Sequence, residues 1–162
     1  MESIVQAQRV LEIFKEMSQI PRESGNEKGI SDYIVNFGKN LGLEVHQDEQ
    51  YNVVIKKAAS PGYENRPSII LQGHIDMVCV RDHDSNHDFS KDPIANIIEG
   101  EWMHADHTTL GADNGMGGAM MLAILEDDNQ QHGPMQLLFT TNEETGMDGA
   151  FAIKEGQVTG DY

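Results

Sequence analysis

Three short stretches of this 162-residue chain combine side chains that can hold a cation or move a proton. The first is Gly73-His74-Ile75-Asp76, near the end of the apolar run SIILQGHIDMV. Side chains alternate along a strand, so His74 and Asp76 leave it on the same face. A carboxylate so placed can accept one imidazole N–H, fix the tautomer and leave the other nitrogen free for a metal. The same pair also suits a hydrogen-bonded structural histidine. The second stretch is Gly111-Ala112-Asp113-Asn114-Gly115, where a loop enters a helix. Asp113 reads either as a helix N-cap or as a ligand; a cap accounts for the carboxylate but not for the flanking glycines, which let a ligand approach the backbone closely. The third is Asn142-Glu143-Glu144-Thr145-Gly146, directly after MQLLFTT. Neighbouring side chains leaving a strand point in different directions, so one acid can bind a metal while the other faces a reacting water. An exposed acidic pair would have the same composition.

All three stretches lie at the end of an apolar strand or the start of a helix, so one edge of a sheet can gather them. Histidine and carboxylates without cysteine suit a catalytic zinc or manganese site better than a structural zinc. Cys79 is the only cysteine, which excludes an intrachain disulfide and a Cys-rich zinc module and fits a reducing cytoplasm. His83 and His87, in RDHDSNHDF, read as part of a solvated loop. His104 and His107 have no partner at a useful spacing and read as structural or exposed.

The elements that must position these groups follow from periodicity. Ala7, Val10, Leu11, Phe14 and Met17 recur at helical steps, on a helix that ends before Pro21. Ile30, Tyr33, Ile34, Phe37 and Leu41 form a second stripe, with Ser24 or Asn26 available to cap its start and Gly42 to end it. From Leu43 the period becomes two: LEVHQ and NVVIK predict an antiparallel pair. KAASPGYENRP reads as a loop leading to a buried central strand over SIILQGHIDMV. Residues 79–100 read as polar and irregular, AMMLAILED as a helix starting close to Asp113, and MQLLFTTNEE as a second buried strand. Alternating helices and apolar strands predict a layered α/β domain with site residues at strand ends.

Asp and Glu outnumber Lys and Arg by 27 to 11, and the net charge of −16 argues against nucleic acid and anionic membrane surfaces as partners. No 18-residue apolar run and no leader-like segment occurs in the sequence.

LQGHIDMV, HDFSKDPI, GEWMHADHTTLGADNGMG and HGPMQLLFTTNEETGMDGAF resemble, in order and spacing, the aminoacyl-histidine dipeptidases, also called cytosol non-specific dipeptidases or peptidase D. These belong to the di-zinc aminoacylases, carboxypeptidases and dipeptidases. The resemblance runs over essentially the whole chain, and the TTLGADNG form of the middle motif is that of the dipeptidase branch. It implies a helix-sheet-helix catalytic domain with a mixed central sheet, of which residues 1–162 are the N-terminal part. It also implies two Zn2+ ions, with Mn2+ or Co2+ as alternatives. By the same resemblance His74 is a ligand of one metal, Asp113 bridges both and Glu144 binds the second. Asp76 orients His74, and Glu143 is the general base toward the di-zinc-bound water. The implied activity is hydrolysis of dipeptides, Xaa-His and others, by a cytoplasmic homodimer in its complete form. A further aspartate ligand, a distant histidine ligand and a lid or dimerisation domain are expected outside these residues. The chain alone is therefore expected to be inactive, or to act as a non-catalytic fragment through partial metal binding or association. One departure stands beside the site: Asp106-His107 replaces the basic residue and glycine usual before TTLGADNG.

Overall fold

Helical periodicity up to Pro21 gives α1, Glu2–Ser18, in a computed structural model that describes residues 2–162, with side chains from residue 7 onward. Phe14 and Met17 are fully buried as expected, but Ala7 is exposed and Ile13, outside the expected stripe, is fully buried. The buried arc is centred about one residue from the anticipated one. In α2, Lys28–Asn40, Ile30 and Ile34 are buried, whereas Leu41 falls just past the helix and is exposed. Gly42 ends this helix in the left-handed region (φ 72°), donating its N–H to the Lys39 carbonyl at 2.9 Å. Neither Ser24 nor Asn26 caps its start: Glu27 occupies that position without a side-chain capping bond.

The alternating segments form β1, Glu44–Gln47, and β2, Val53–Lys57, paired antiparallel with Val45 opposite Ile55. The sheet continues with β3, Ile69–His74, and a later strand, Met135–Thr140, which becomes β6 in chain order. Its spatial order is β1-β2-β6-β3, with β2 antiparallel and β3 parallel to β6. The result is the mixed sheet expected of an α/β fold, although β3 flanks it instead of lying at its centre. The outer side of β3 is met by residues near Tyr162, through bonds such as Ile70 N–H to the Tyr162 carbonyl at 2.8 Å.

Residues 79–100 hold more structure than their polarity suggested. β4, Asn96–Glu99, and β5, Trp102–Ala105, form a separate hairpin that turns at Gly100 (φ 62°). Ile94, Met77 and Ala105 make a small second core with Cys79, Phe89 and Leu110 beside it, and Ile94 N–H donates to the Ser18 carbonyl at 2.8 Å. Such short, half-exposed strands carry little alternation. His87, read as solvated, packs edge-on against Phe89 with ring centroids 4.5 Å apart.

The chain then forms α3, Ala112–Glu126, which crosses from β3 to β6, and ends with the short α4, Asp148–Phe151. One core joins α1, α2 and α3 to the sheet face carrying Val53, Ile55, Met135, Leu137 and Phe139. Arg9 fastens α1 to α3 through Glu126 (Nη2 to Oε2, 3.1 Å).

Gly38 shows how closely α2 lies on the sheet: a Cβ there would sit 2.7 Å from Val45 Cγ2 and 2.9 Å from Ile55 Cδ1. Alanine in a helix gains about 1 kcal/mol over glycine, but overpacking a core costs about 1–3 kcal/mol, and both neighbours are β-branched and stiff. Gly38→Ala should therefore lower the urea unfolding midpoint with little change in slope; a raised midpoint would contradict this close approach.

Candidate metal centre

His74 is the last residue of β3, opposite Thr140 of β6 in parallel register, so the segments that follow both strands leave the sheet at the same end. Asp76 comes two residues later, on backbone held by the Ile75 N–H to the Thr140 carbonyl at 2.9 Å. Glu143 and Glu144 lie just beyond β6, in a turn where Asn142 adopts φ 51° and Met147 N–H returns to the Asn142 carbonyl at 2.8 Å. Asp113 reaches the same place from the start of α3.

Asp113 does not cap that helix. Gly111 occupies the N-cap position at φ 72°, Asp113 and Asn114 have non-helical backbone angles, and the peptide between them is cis. The Asp113 side chain is 88% exposed and approaches His74, with Oδ1 3.2 Å from Nε2. Glu143 Oε2 lies 3.8 Å from the same nitrogen. One ligand atom each from His74, Asp113 and Glu144 lie within 4.8 Å of one another. The sequence-expected residues thus converge on one spot, with Asp76 behind the imidazole and three acids in front. A borderline nitrogen donor and exposed carboxylate oxygens fit a divalent zinc or manganese ion.

Asp76 is fully buried, and both its oxygens are occupied. Oδ1 accepts the Glu143 N–H at 3.1 Å and lies 3.3 Å from His74 Nδ1. Oδ2 accepts the Ser24 hydroxyl at 2.7 Å and the Glu144 N–H at 3.2 Å. Burial pushes this carboxyl up, but the donors from His74, Ser24, Glu143 and Glu144 outweigh it and pull the pKa down to about 2. At His74, burial works against protonation. Asp76, then Asp113 and Glu143, outweigh it and raise the imidazole above its ordinary pKa. Without a metal the site therefore favours a proton where a cation would sit.

Sequence reasoning missed the residues that hold these segments. Ser24, considered as a helix cap, instead binds Asp76. Glu27, buried, accepts the Asn142 N–H at 3.0 Å. Asn52, also buried, accepts the Thr141 N–H at 3.1 Å and donates to the Gly149 carbonyl at 2.9 Å. The only available signal was polarity beside apolar periodic segments. His83, His104 and His107 lie outside the cluster; His107 pairs with Asp82 at 2.8 Å.

A carboxylate whose folded pKa lies below its ordinary value of 3.8 stabilises the fold above that pH and loses this contribution as pH falls through about 2. In metal-free protein Asp76→Asn should cost about 2 kcal/mol near neutrality. Denaturation at successive pH values should show that difference shrinking below pH 4 or so; a difference independent of pH would rule out the charged, hydrogen-bonded state.

Residues 70–161 match the family described as Peptidase family M20/M25/M40. Cytosol non-specific dipeptidase of Escherichia coli (strain K12) is 47% identical over 147 residues, which cover 91% of this chain and 30% of that protein. Among solved structures, aminoacylhistidine dipeptidase from Vibrio alginolyticus superposes with a TM-score of 0.91 at 44% identity, covering 94% of this chain and 31% of that one. A tripeptidase from Staphylococcus aureus gives a TM-score of 0.79 at 28% identity, covering 96% of this chain and 42% of its own. The chain spans only about a third of the length of its dipeptidase relatives. With a family match over more than half of its residues, and the strand-end cluster lying within that match, this chain belongs to Peptidase family M20/M25/M40.

Proposed function

We propose that the protein these residues belong to is a di-zinc dipeptidase, in which His74, Asp113 and Glu144 would hold the metal ions. The observation that carries this reading is the convergence of those three donors within 4.8 Å, beside a third acid, Glu143, that is not one of them. Bound there, divalent ions would polarise the scissile carbonyl and acidify a water.

The chain's own residues supply the remaining steps. Asp76 holds the imidazole of His74 through Nδ1, which directs Nε2 toward the acids. Glu143, partly exposed beside the cluster, takes the proton of the attacking water and returns it to the departing amine as the peptide C–N bond breaks. Its main-chain N–H, held by Asp76, anchors the side chain at that place.

Dipeptides, including those ending in histidine, are the proposed substrates, in keeping with the names of the Escherichia coli and Vibrio relatives. A further aspartate and a distant histidine from outside these residues would complete the ligand set, and a lid domain would support a homodimer. The cytoplasm is the proposed compartment: no described helix is long and apolar enough to cross a membrane, and the E. coli relative is named a cytosol enzyme. With three donors only, the isolated 162 residues should bind zinc weakly and turn over little substrate.

Glu143→Gln in the complete protein should lower kcat by about 10²–10⁴-fold. Zinc content, read by elemental analysis, should stay at the level of the unaltered protein. Full turnover in this variant would remove Glu143 from the mechanism, and absence of zinc from the unaltered protein would remove the metal centre.

A further inference from the structure

Arg22 belongs to none of the motifs above, yet it is buried directly behind the cluster, 2% exposed. Its hydrogen bonds go to main-chain carbonyls: Nη1 donates to Ile75 at 3.2 Å and to Asp76 at 3.3 Å, and Nη2 to Gly111 at 2.6 Å. Nε is buried with no hydrogen-bond partner. Desolvation lowers the guanidinium pKa to about 10, so it remains cationic at neutral pH. A buried cation with an unfilled donor is expensive, and packing alone would be better served by an apolar side chain.

The three carbonyls belong to the two segments that carry His74 with Asp76 and Asp113. The glycines of the second segment are shaped around the same group. A Cβ on Gly111 would lie 2.5 Å from Arg22 Nη2, and one on Gly115 would lie 2.6 Å from it. A planar fork of fixed geometry spans these carbonyls in a way that a flexible ammonium does not.

We propose that Arg22 is a positioning residue of the metal centre, its guanidinium tying the Ile75–Asp76 backbone to Gly111 and so setting the separation of His74 from Asp113. This rests on the metal-site reading given above. Arg22 acts through the ligands and touches neither metal nor substrate.

The test uses the complete native protein loaded with Co2+, whose visible absorption reports ligand geometry. Arg22→Lys keeps the buried cation without the fork, and Arg22→Met removes the charge while keeping much of the stem. Both should change the cobalt spectrum, weaken cobalt affinity about 10- to 100-fold and lower kcat more than they raise KM. Arg22→Lys should recover most of the unfolding midpoint but not the spectrum. An unaltered spectrum and affinity in the lysine variant would overturn the proposal, whatever happens to the midpoint. Should neither variant fold, the ¹⁵N guanidinium signals of Arg22 in the unaltered protein decide: they should shift as Zn2+ is titrated in, and fixed signals would overturn it. Failure of the unaltered protein to bind cobalt or zinc at all would instead overturn the metal-site reading and this proposal with it.

Discussion

Asp76 carries a charge where no water reaches it, and a carboxylate survives such burial only when donors fill its oxygens. Here the donors come from three separated places: the loop between α1 and α2 through Ser24, the strand end through His74, and the turn after β6 through the amides of Glu143 and Glu144. Satisfying one buried group thus fixes the relative positions of segments more than sixty residues apart in sequence. The imidazole orientation, the path of the Glu143-Glu144 backbone and the seat of the α1–α2 loop all depend on it. Hydrogen bonds to a charged acceptor are roughly twice as strong as neutral ones, which gives this node its stiffness.

The sheet makes that meeting possible. Because β3 and β6 are parallel and in register from Ile69 opposite Met135 to His74 opposite Thr140, they deliver their C-terminal ends side by side. The crossover between them must return over the sheet, and α3 does so along the core face, starting beside the same strand ends. The excursion through β4 and β5 keeps its own small core around Met77 and Ile94, so its irregular path does not disturb the sheet.

Much of this was legible because period and chemistry coincided. The alternation in LEVHQ and NVVIK predicted the β1–β2 pair, and the apolar runs ending in His74 and Thr141 placed HxD and the acid pair at strand ends. What stayed hidden depended on tertiary partners. Ser24 looks like a cap from its neighbours, and only the arrival of Asp76 from fifty-two residues away shows its actual bond. Asp113 likewise has the composition of a cap, but the backbone at Asp113 and Asn114 departs from helical angles and frees its carboxylate toward His74. Strand order was illegible for the same reason: an apolar run says that a strand is covered, not which neighbours it pairs with, and β3 was assigned to the centre when it flanks the sheet.

The electrostatics of the cluster explain why so much scaffolding stands behind it. Asp113, Glu143 and Glu144 gather around one imidazole in a chain of net charge −16, and acids so close repel one another unless a cation sits among them. The exposed carboxylates cannot hold their own arrangement, since solvent screens them and their side chains are free to turn away. Their geometry must come from backbone fixed by buried groups: the Asp76 carboxylate, the Glu27 bond to Asn142, and the Asn52 bridge between Thr141 and Gly149. These bonds form on folding, before any ligand arrives, so the cost of bringing like charges together is met by the fold and not at the moment of binding. A divalent cation entering such a cluster would relieve repulsion without having to order the loops around it, which is the physical sense in which the arrangement is preorganised.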